Sequence, residues 1–313
     1  MPARALRPAG LLVIDKPSGL TSHDVVERIR RILRCRVGHA GTLDPQATGV
    51  LLVCLGAATR LARFLQGHDK AYEGTVRLGW ATDTYDAEGE ALADPVTPPR
   101  LRREQVQEVL DSFVGAIEQT PPAYSAKKVR GQPAYRRARR GEDVRPKPVT
   151  VEIHSAELLD LTADTIQVRI HCGAGTYVRT LARELGEALG CPAHLAGLRR
   201  TRSGSFSLRH AVSWKAIEET TPQALEERIL PATDMVPDWP IAMVGEEGAD
   251  ATATGRILEA GWIVERRPGI SVDTPGGAKD SDGWVRVVDR SGAMIAAGEM
   301  VPGGLIQPRI VLR

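Results

Sequence analysis

Residues 38 to 49 read GHAGTLDPQATG, and they lead straight into the apolar run Val50-Leu51-Leu52-Val53. Such a run, entered from glycine, reads as a buried strand. The segment before it reads as a constrained loop. Pro45 fixes its own φ and pushes Asp44 toward extended geometry. Gly38, Gly41 and Gly49 let the backbone turn sharply or approach a ligand closely. One carboxylate, Asp44, is thus held on a polar loop leading into the core, which is how a nucleophile or general base is presented. A plain Asp-Pro turn requires none of the flanking His39, Thr42 and Thr48.

Outward from this loop, helical and strand patterns mix without strict alternation. Leu11 to Ile14 reads as a first strand. Val25, Val26, Ile29 and Ile32 share one face of a helix from His23 to about Leu33, capped by Thr21 or Ser22. Ala57 to Leu65 reads as a second helix. Tyr72 to Leu78 alternates as a strand, with Tyr72, Val76 and Leu78 on one side. TDTYDAEGE, from Thr82, is a polar turn region. Leu101 to Phe113 is an amphipathic helix. Val149 to Ile153 and Thr165 to Ile170 are strands, and Thr176 to Leu189 is a helix ended by Gly190. This order predicts an α+β fold with a mixed sheet rather than a doubly wound one. Pro231 to Pro240 reads as a linker. The runs Trp284 to Val288, Met294 to Ala297 and Leu305 to Val311 beyond it read as a small all-β module. The predicted division is a catalytic domain over 1–238 and a second domain over 239–313.

The 313 residues suffice for two domains with their own cores, and 42% hydrophobic with 26% charged content is ordinary for a soluble protein. Cys35, Cys54, Cys172 and Cys191 form no CxxC pair, so no zinc ribbon or thioredoxin-like site is indicated, and a reduced, cytoplasmic setting fits best. The first apolar run is broken at Asp15 and Lys16, unlike a signal peptide. No stretch approaches the ~18 uninterrupted apolar residues of a membrane span. The net charge of +2 hides an uneven distribution. Nine Lys or Arg lie between Ser125 and Lys147, opposed only by Glu142 and Asp143, a local +7. Pro121-Pro122 and Pro146 with Pro148 bracket this tract, so it reads as an insertion over about 121–148. A solvated face is one reading of it; a surface for a polyanion is the other.

Five motifs occur in order: LLVIDKPSGLTSHDVV from Leu11, the 38–49 loop, DKAYEGTVRLG from Asp69, CGAGTYVRTLARELGEALG from Cys172 and HLAGLRRTRSG from His194. Together they resemble the TruB family of tRNA pseudouridine synthases, of the bacterial stand-alone type, over most of residues 11 to 204. The resemblance implies a pseudouridine synthase fold with a thumb-like RNA-binding insertion and a C-terminal PUA-like barrel. It implies isomerisation of uridine-55 in the T-loop of tRNA, with the base flipped into the site. Asp44 is then the nucleophile, Tyr72 stacks on the base and serves proton transfer, and Arg179 pairs with the Asp44 carboxylate and keeps it ionised. His39 fills space left by displaced bases, Leu198 contacts the target base, and Tyr177 and Lys16 line the pocket. Lys127, Arg136, Arg137, Arg139 and Arg140 would contact phosphates, with Tyr124 and Tyr135 stacking nearby. The implied partner is tRNA, through its T-arm and, by the C-terminal domain, its acceptor stem. That domain, from Ile241, carries a net −2, an unusual balance for a major phosphate-binding surface. Neither metal, cofactor, guide RNA nor obligate protein partner is expected.

Taken singly, several of these residues have plainer readings. Tyr72 and Leu198 fit a core, and Arg179 fits a solvated helix face. Gly173-Ala174-Gly175 hints at a dinucleotide loop, but the third glycine position is Val178 and no βαβ unit surrounds it. A tRNA-folding chaperone in which modification is secondary is the competing function; the intact Asp44, Tyr72 and Arg179 set favours catalysis.

Overall fold

In a computed structural model of the chain, residues 9–312 are described except 126, 130, 139, 143, 145 and 271–282. The chain forms two units, Met1–His68 with Ser203–Arg313, and Asp69–Arg202.

The first unit opens with β1 (Gly10–Lys16), α1 (Ser22–Leu33), β2 (Val37–Ala40) and β3 (Thr48–Leu55). β3 pairs antiparallel with β1, from Gly49↔Lys16 to Leu55↔Gly10, and with β2, where His39 faces Val53. Val50 through Leu55 are fully buried, as the apolar run requires. α1 buries Val25, Val26, Ile29 and Leu33, each side chain contributing about 1.5–3 kcal/mol. Thr21, not Ser22, is its cap, in a capping box with Asp24. Ser22 is committed elsewhere, since its hydroxyl donates to Leu43 O at 3.0 Å and accepts from Leu43 N–H at 2.9 Å. The helix expected over Ala57–Leu65 is instead a 3-10 turn, Gly56–Leu61, followed by a short helix, Ala62–Gln66.

The second unit contains β4 (Lys70–Leu78), α2 (Arg103–Ser112), β5 (Gly115–Gln119), β6 (Val149–Leu161), β7 (Thr165–Cys172), α3 (Val178–Ala188) and β8 (Ala193–Ser203). Its strands lie in the order β8-β4-β7-β6-β5. Tyr72, Val76 and Leu78 of β4 face one core with Val106 and Leu110 of α2 and Leu181 and Leu185 of α3. β6 runs far beyond the predicted Ile153, because two register shifts let it stay paired with β7. In the basic insertion, Lys128–Val129 pairs with Gln132–Pro133, and a short helix, Ala134–Ala138, follows. Arg139 and the side chain of Tyr135 lie outside the described residues.

The C-terminal part of the first unit contains β9 (Ile241–Val244), α4 (Glu246–Ala253), β10 (Ile263–Arg267), β11 (Trp284–Val288), β12 (Met294–Val301) and β13 (Leu305–Val311). Its sheet has the order β10-β9-β11-β12-β13, with β9 and β11 parallel. This smaller second sheet is consistent with a PUA-like domain, and a mixed sheet with flanking helices is the architecture expected. Two expectations are corrected. The module is not all-β: α4 packs through Gly248, Ala249, Ala251 and Thr252, residues too small to show a helical stripe in sequence. The 231–240 stretch is not a loose linker, because Met235, Val236 and Trp239 are buried. Trp239 stacks on Trp284 at 5.4 Å and meets Phe64 edge-on at 4.7 Å. The buried Arg286 guanidinium ties the stretch down, donating to the carbonyls of Thr233, Pro237 and Trp239.

Candidate active site

In the first unit, the Asp44 loop spans β2 to β3. Its turn closes where Ala47 N–H donates to Asp44 O at 3.1 Å. Gly41 and Gly49 take φ of 91° and 99°, conformations open to glycine and strained for other residues. Leu43 and Ala47 point into the core while Asp44 remains partly exposed. Beneath the loop lies Lys16, whose side chain is 0% exposed. Its ammonium donates to Pro17 O at 2.9 Å, Leu20 O at 2.6 Å and Pro45 O at 3.0 Å. An ammonium has three donors, and these three carbonyls accept from it. Gly19 N–H donates to the same Pro45 O at 2.9 Å. Lys16 therefore ties β1 and the residues after it to the loop through Pro45 O.

The second unit holds Tyr72, Tyr177, Arg179 and Leu198. Tyr72 is buried on β4 opposite Ile170. Leu198, on β8, is half-buried against the same core. Tyr177 stands at the N-cap position of α3 without a side-chain capping bond. The fully buried Gln119 locks it in place: Tyr177 N–H donates to Gln119 Oε1 at 2.7 Å, and Gln119 Nε2 donates to Tyr177 O at 3.2 Å. Arg179 follows on the inward face of α3 and is 7% exposed, not a solvated helix residue. Its guanidinium donates to Asp86 Oδ2 at 2.9 Å, Thr84 O at 3.2 Å and Tyr124 O at 2.9 Å.

Asp86 is the main residue that the sequence reading missed, since TDTYDAEGE reads only as a polar turn. The signal lay at the other end. An arginine flanked by Val178, Leu181 and Ala182 has to find a carboxylate. The local sequence does not say which one, 93 residues away.

A second polar group was also invisible in sequence. A β-bulge turns His154 toward Asp69, with His154 Nε2 at 3.0 Å and His171 Nε2 at 3.9 Å from Asp69 Oδ2. These three could offer ligand atoms to one cation. A cation is already there, because Arg202 Nη2 donates to His171 Nε2 at 2.8 Å. Burial, then Arg202 and His154, push the His171 pKa down to about 4, so His171 is a neutral acceptor. Burial also raises the Asp69 pKa, against the pull of His154. The adjacent Lys70 is pushed down to about 8 by burial and by Arg200.

In the basic insertion, Lys127, Arg136 and Arg140 are exposed. Arg137 is half-buried and pairs with Glu142 at 2.6 Å.

A profile of the TruB family pseudouridylate synthase N-terminal domain matches residues 30–178, and one of the tRNA pseudouridylate synthase B C-terminal domain matches residues 179–236. A protein of Solibacter usitatus named tRNA pseudouridine synthase B is 41% identical over 305 residues, covering 97% of this chain and 99% of the relative. This chain belongs to the TruB family. A Pseudomonas aeruginosa TruB relative of the same name is 39% identical over 311 residues, covering 97% and 96% of the two chains. Among solved structures, an archaeal box H/ACA sRNP Nop10–Cbf5 complex contains a chain with TM-score 0.69 and 25% identity, covering 98% of this chain and 87% of its own. A chain in an H/ACA RNP bound to a substrate RNA containing 2′-deoxyuridine shares the fold, with TM-score 0.68 and 24% identity over 97% and 85% of the two chains. No helix among the described residues is long and apolar enough to cross a membrane.

Proposed function

We propose that this chain is a tRNA pseudouridine synthase that isomerises uridine-55 of the T-loop, with Asp44 as its nucleophile. The observation that carries the reading is the near-full-length likeness to TruB relatives named tRNA pseudouridine synthase B. In the reaction the N1–C1′ glycosidic bond breaks, the uracil rotates, and a C5–C1′ bond forms. N1 gains a proton and C5 loses one, so there is no net redox change. Asp44 attacks the uridine or its ribose carbon and leaves when the new bond is made. The extruded base stacks on Tyr72, whose hydroxyl serves the C5 proton, and Leu198 and Tyr177 close the pocket. Arg179 supplies the positive charge that keeps the reacting carboxylate ionised.

The cations of the insertion bind phosphates of the T-arm, and the C-terminal domain reaches the acceptor stem. The enzyme acts in the cytoplasm, without guide RNA, protein partner or cofactor. The test is incubation of the pure protein with an unmodified tRNA transcript, followed by position-resolved pseudouridine mapping. Pseudouridine at position 55 alone is the expected result. An unmodified transcript, or modification elsewhere, defeats the proposal.

A further inference from the structure

The turn that carries Asp86 contains a conformation its own sequence does not favour. Tyr85 has φ of 65°, one of two non-glycine residues with positive φ among the described residues. A bulky side chain there is strained. Such residues persist where their surroundings over-determine them, and they cluster at functional sites. Here the backbone is pinned on both sides: Tyr85 N–H donates to Thr82 O at 3.2 Å, and Tyr85 O accepts from Leu195 N–H at 3.0 Å. Thr84 Oγ1 donates to Asp86 Oδ1 at 2.6 Å, aiming the carboxylate.

Glycine or asparagine would meet those backbone demands with less strain. What they would lack is the ring. The Arg183 guanidinium lies over the Tyr85 ring, 4.8 Å from its centroid. Arg183 stands one turn beyond Arg179 on α3, so both project from one face. One helix thus grips consecutive residues of the turn twice. Arg179 takes Thr84 O and the Asp86 carboxylate, and Arg183 takes the Tyr85 ring. Arg183 is itself steadied by Glu184 at 3.4 Å and Glu187 at 3.5 Å.

We infer that Tyr85 and Arg183 are positioning residues that hold Asp86 in register with Arg179, and that this clamp sets the rate of the chemical step. The second half of the inference rests on the reading of Arg179 as part of the active site. Loosening the turn leaves Arg179 paired in several geometries rather than one, and misplacement by about 1 Å can cost on the order of 100-fold in rate.

The experiment uses Tyr85→Gly, which removes ring and strain together, Arg183→Gln, the double variant, and Tyr85→Phe as the conservative rescue. The first readout needs no RNA: the Nε–H resonance of Arg179 in arginine-labelled protein, assigned by its loss in Arg179→Lys. It should be protected from exchange in the wild type and in Tyr85→Phe, and broadened or exchanging in the other variants. The second is single-turnover pseudouridine formation beside tRNA affinity. Tyr85→Gly and Arg183→Gln should each slow the chemical step about 10-fold or more, with affinity within about 3-fold and thermal midpoints not lowered in Tyr85→Gly. The double variant should be no slower than the worse single one. An unchanged Arg179 resonance in Tyr85→Gly and Arg183→Gln overturns the clamp, whatever the activity. A changed resonance with wild-type rates overturns its role in the reaction. A wild type inactive on tRNA refutes the proposed function and the link to its rate, and leaves the resonance to judge the clamp.

Discussion

The Asp44 loop and the Arg179 corner are each built around one buried cation, in opposite ways. Lys16 spends its three donors on backbone carbonyls, two of them within four residues of it. Arg179 draws on a carboxylate 93 residues away and on carbonyls 95 and 55 residues away. The first arrangement fixes a loop, and its parts sit inside short motifs. The second fixes a side chain, and only the tertiary fold assembles it. Charge compensation differs accordingly. Lys16 donates to carbonyl dipoles and Arg179 to the full charge of Asp86, so removing that carboxylate should cost more than removing one carbonyl contact.

The largest stability effect is therefore expected from Asp86→Asn. It takes the Asp86 carboxylate away from a buried guanidinium and should destabilise the protein by about 3 kcal/mol, measured by urea unfolding. Pseudouridine formation should fall with it in single turnover. A change below about 0.5 kcal/mol would erase the contrast. Lys16→Met comes next. It keeps the stem but takes the ammonium from Pro17 O and Leu20 O, while Pro45 O keeps Gly19 N–H, an expected cost of about 2 kcal/mol. Proteolysis should then cut within 41–47 sooner than elsewhere if the ammonium anchors that loop; unchanged cleavage would mean Gly19 and Ser22 suffice.

How legible the molecule was follows the same divide. β3, α1 and β4 showed themselves through local periodicity, and the Asp44 loop through glycine and proline placement. β8 did not, because Gly197 and the run Arg199, Arg200, Arg202 mask its alternation. α4 did not, because small residues carry its buried face. Asp86, Gln119 and the Asp69–His154–His171 group were invisible for a different reason: each acts through a partner dozens of residues away. For Arg179 the resemblance named Asp44 as partner, and nothing local to either residue pointed to Asp86.

Lys70 sharpens the comparison, as a third buried cation with its pKa pushed down to about 8 from the ordinary 10.5. Between those values the unfolded chain binds the extra proton. Stability from this group therefore rises with pH across that window, and the cost of burying its charge is fully present below it. Lys70→Met should remove the rise, on the order of 1–3 kcal/mol between pH 7.5 and 10. Parallel pH profiles of the two proteins would refute this.

The smallest effect on the chemical step is expected from the basic insertion, in which Lys127, Arg136, Arg140 and Lys147 are exposed. Replacing Arg136, Arg137, Arg139 and Arg140 by alanine should weaken tRNA binding and flatten its log–log salt dependence. The slope should fall by up to about 0.7–0.9 for each phosphate no longer neutralised, by analogy with DNA. The single-turnover rate at saturating tRNA should change little. Identical affinities and slopes would mean that the insertion is only a solvated face.

Asp44, on the loop that Lys16 holds, is the nucleophile we propose. Position-resolved pseudouridine mapping with wild type and Asp44→Asn, beside tRNA affinity for both, tests it most directly. Modification at position 55 by the wild type, none by Asp44→Asn, and tRNA binding retained by both are the expected results. Measurable pseudouridine from Asp44→Asn would contradict that role.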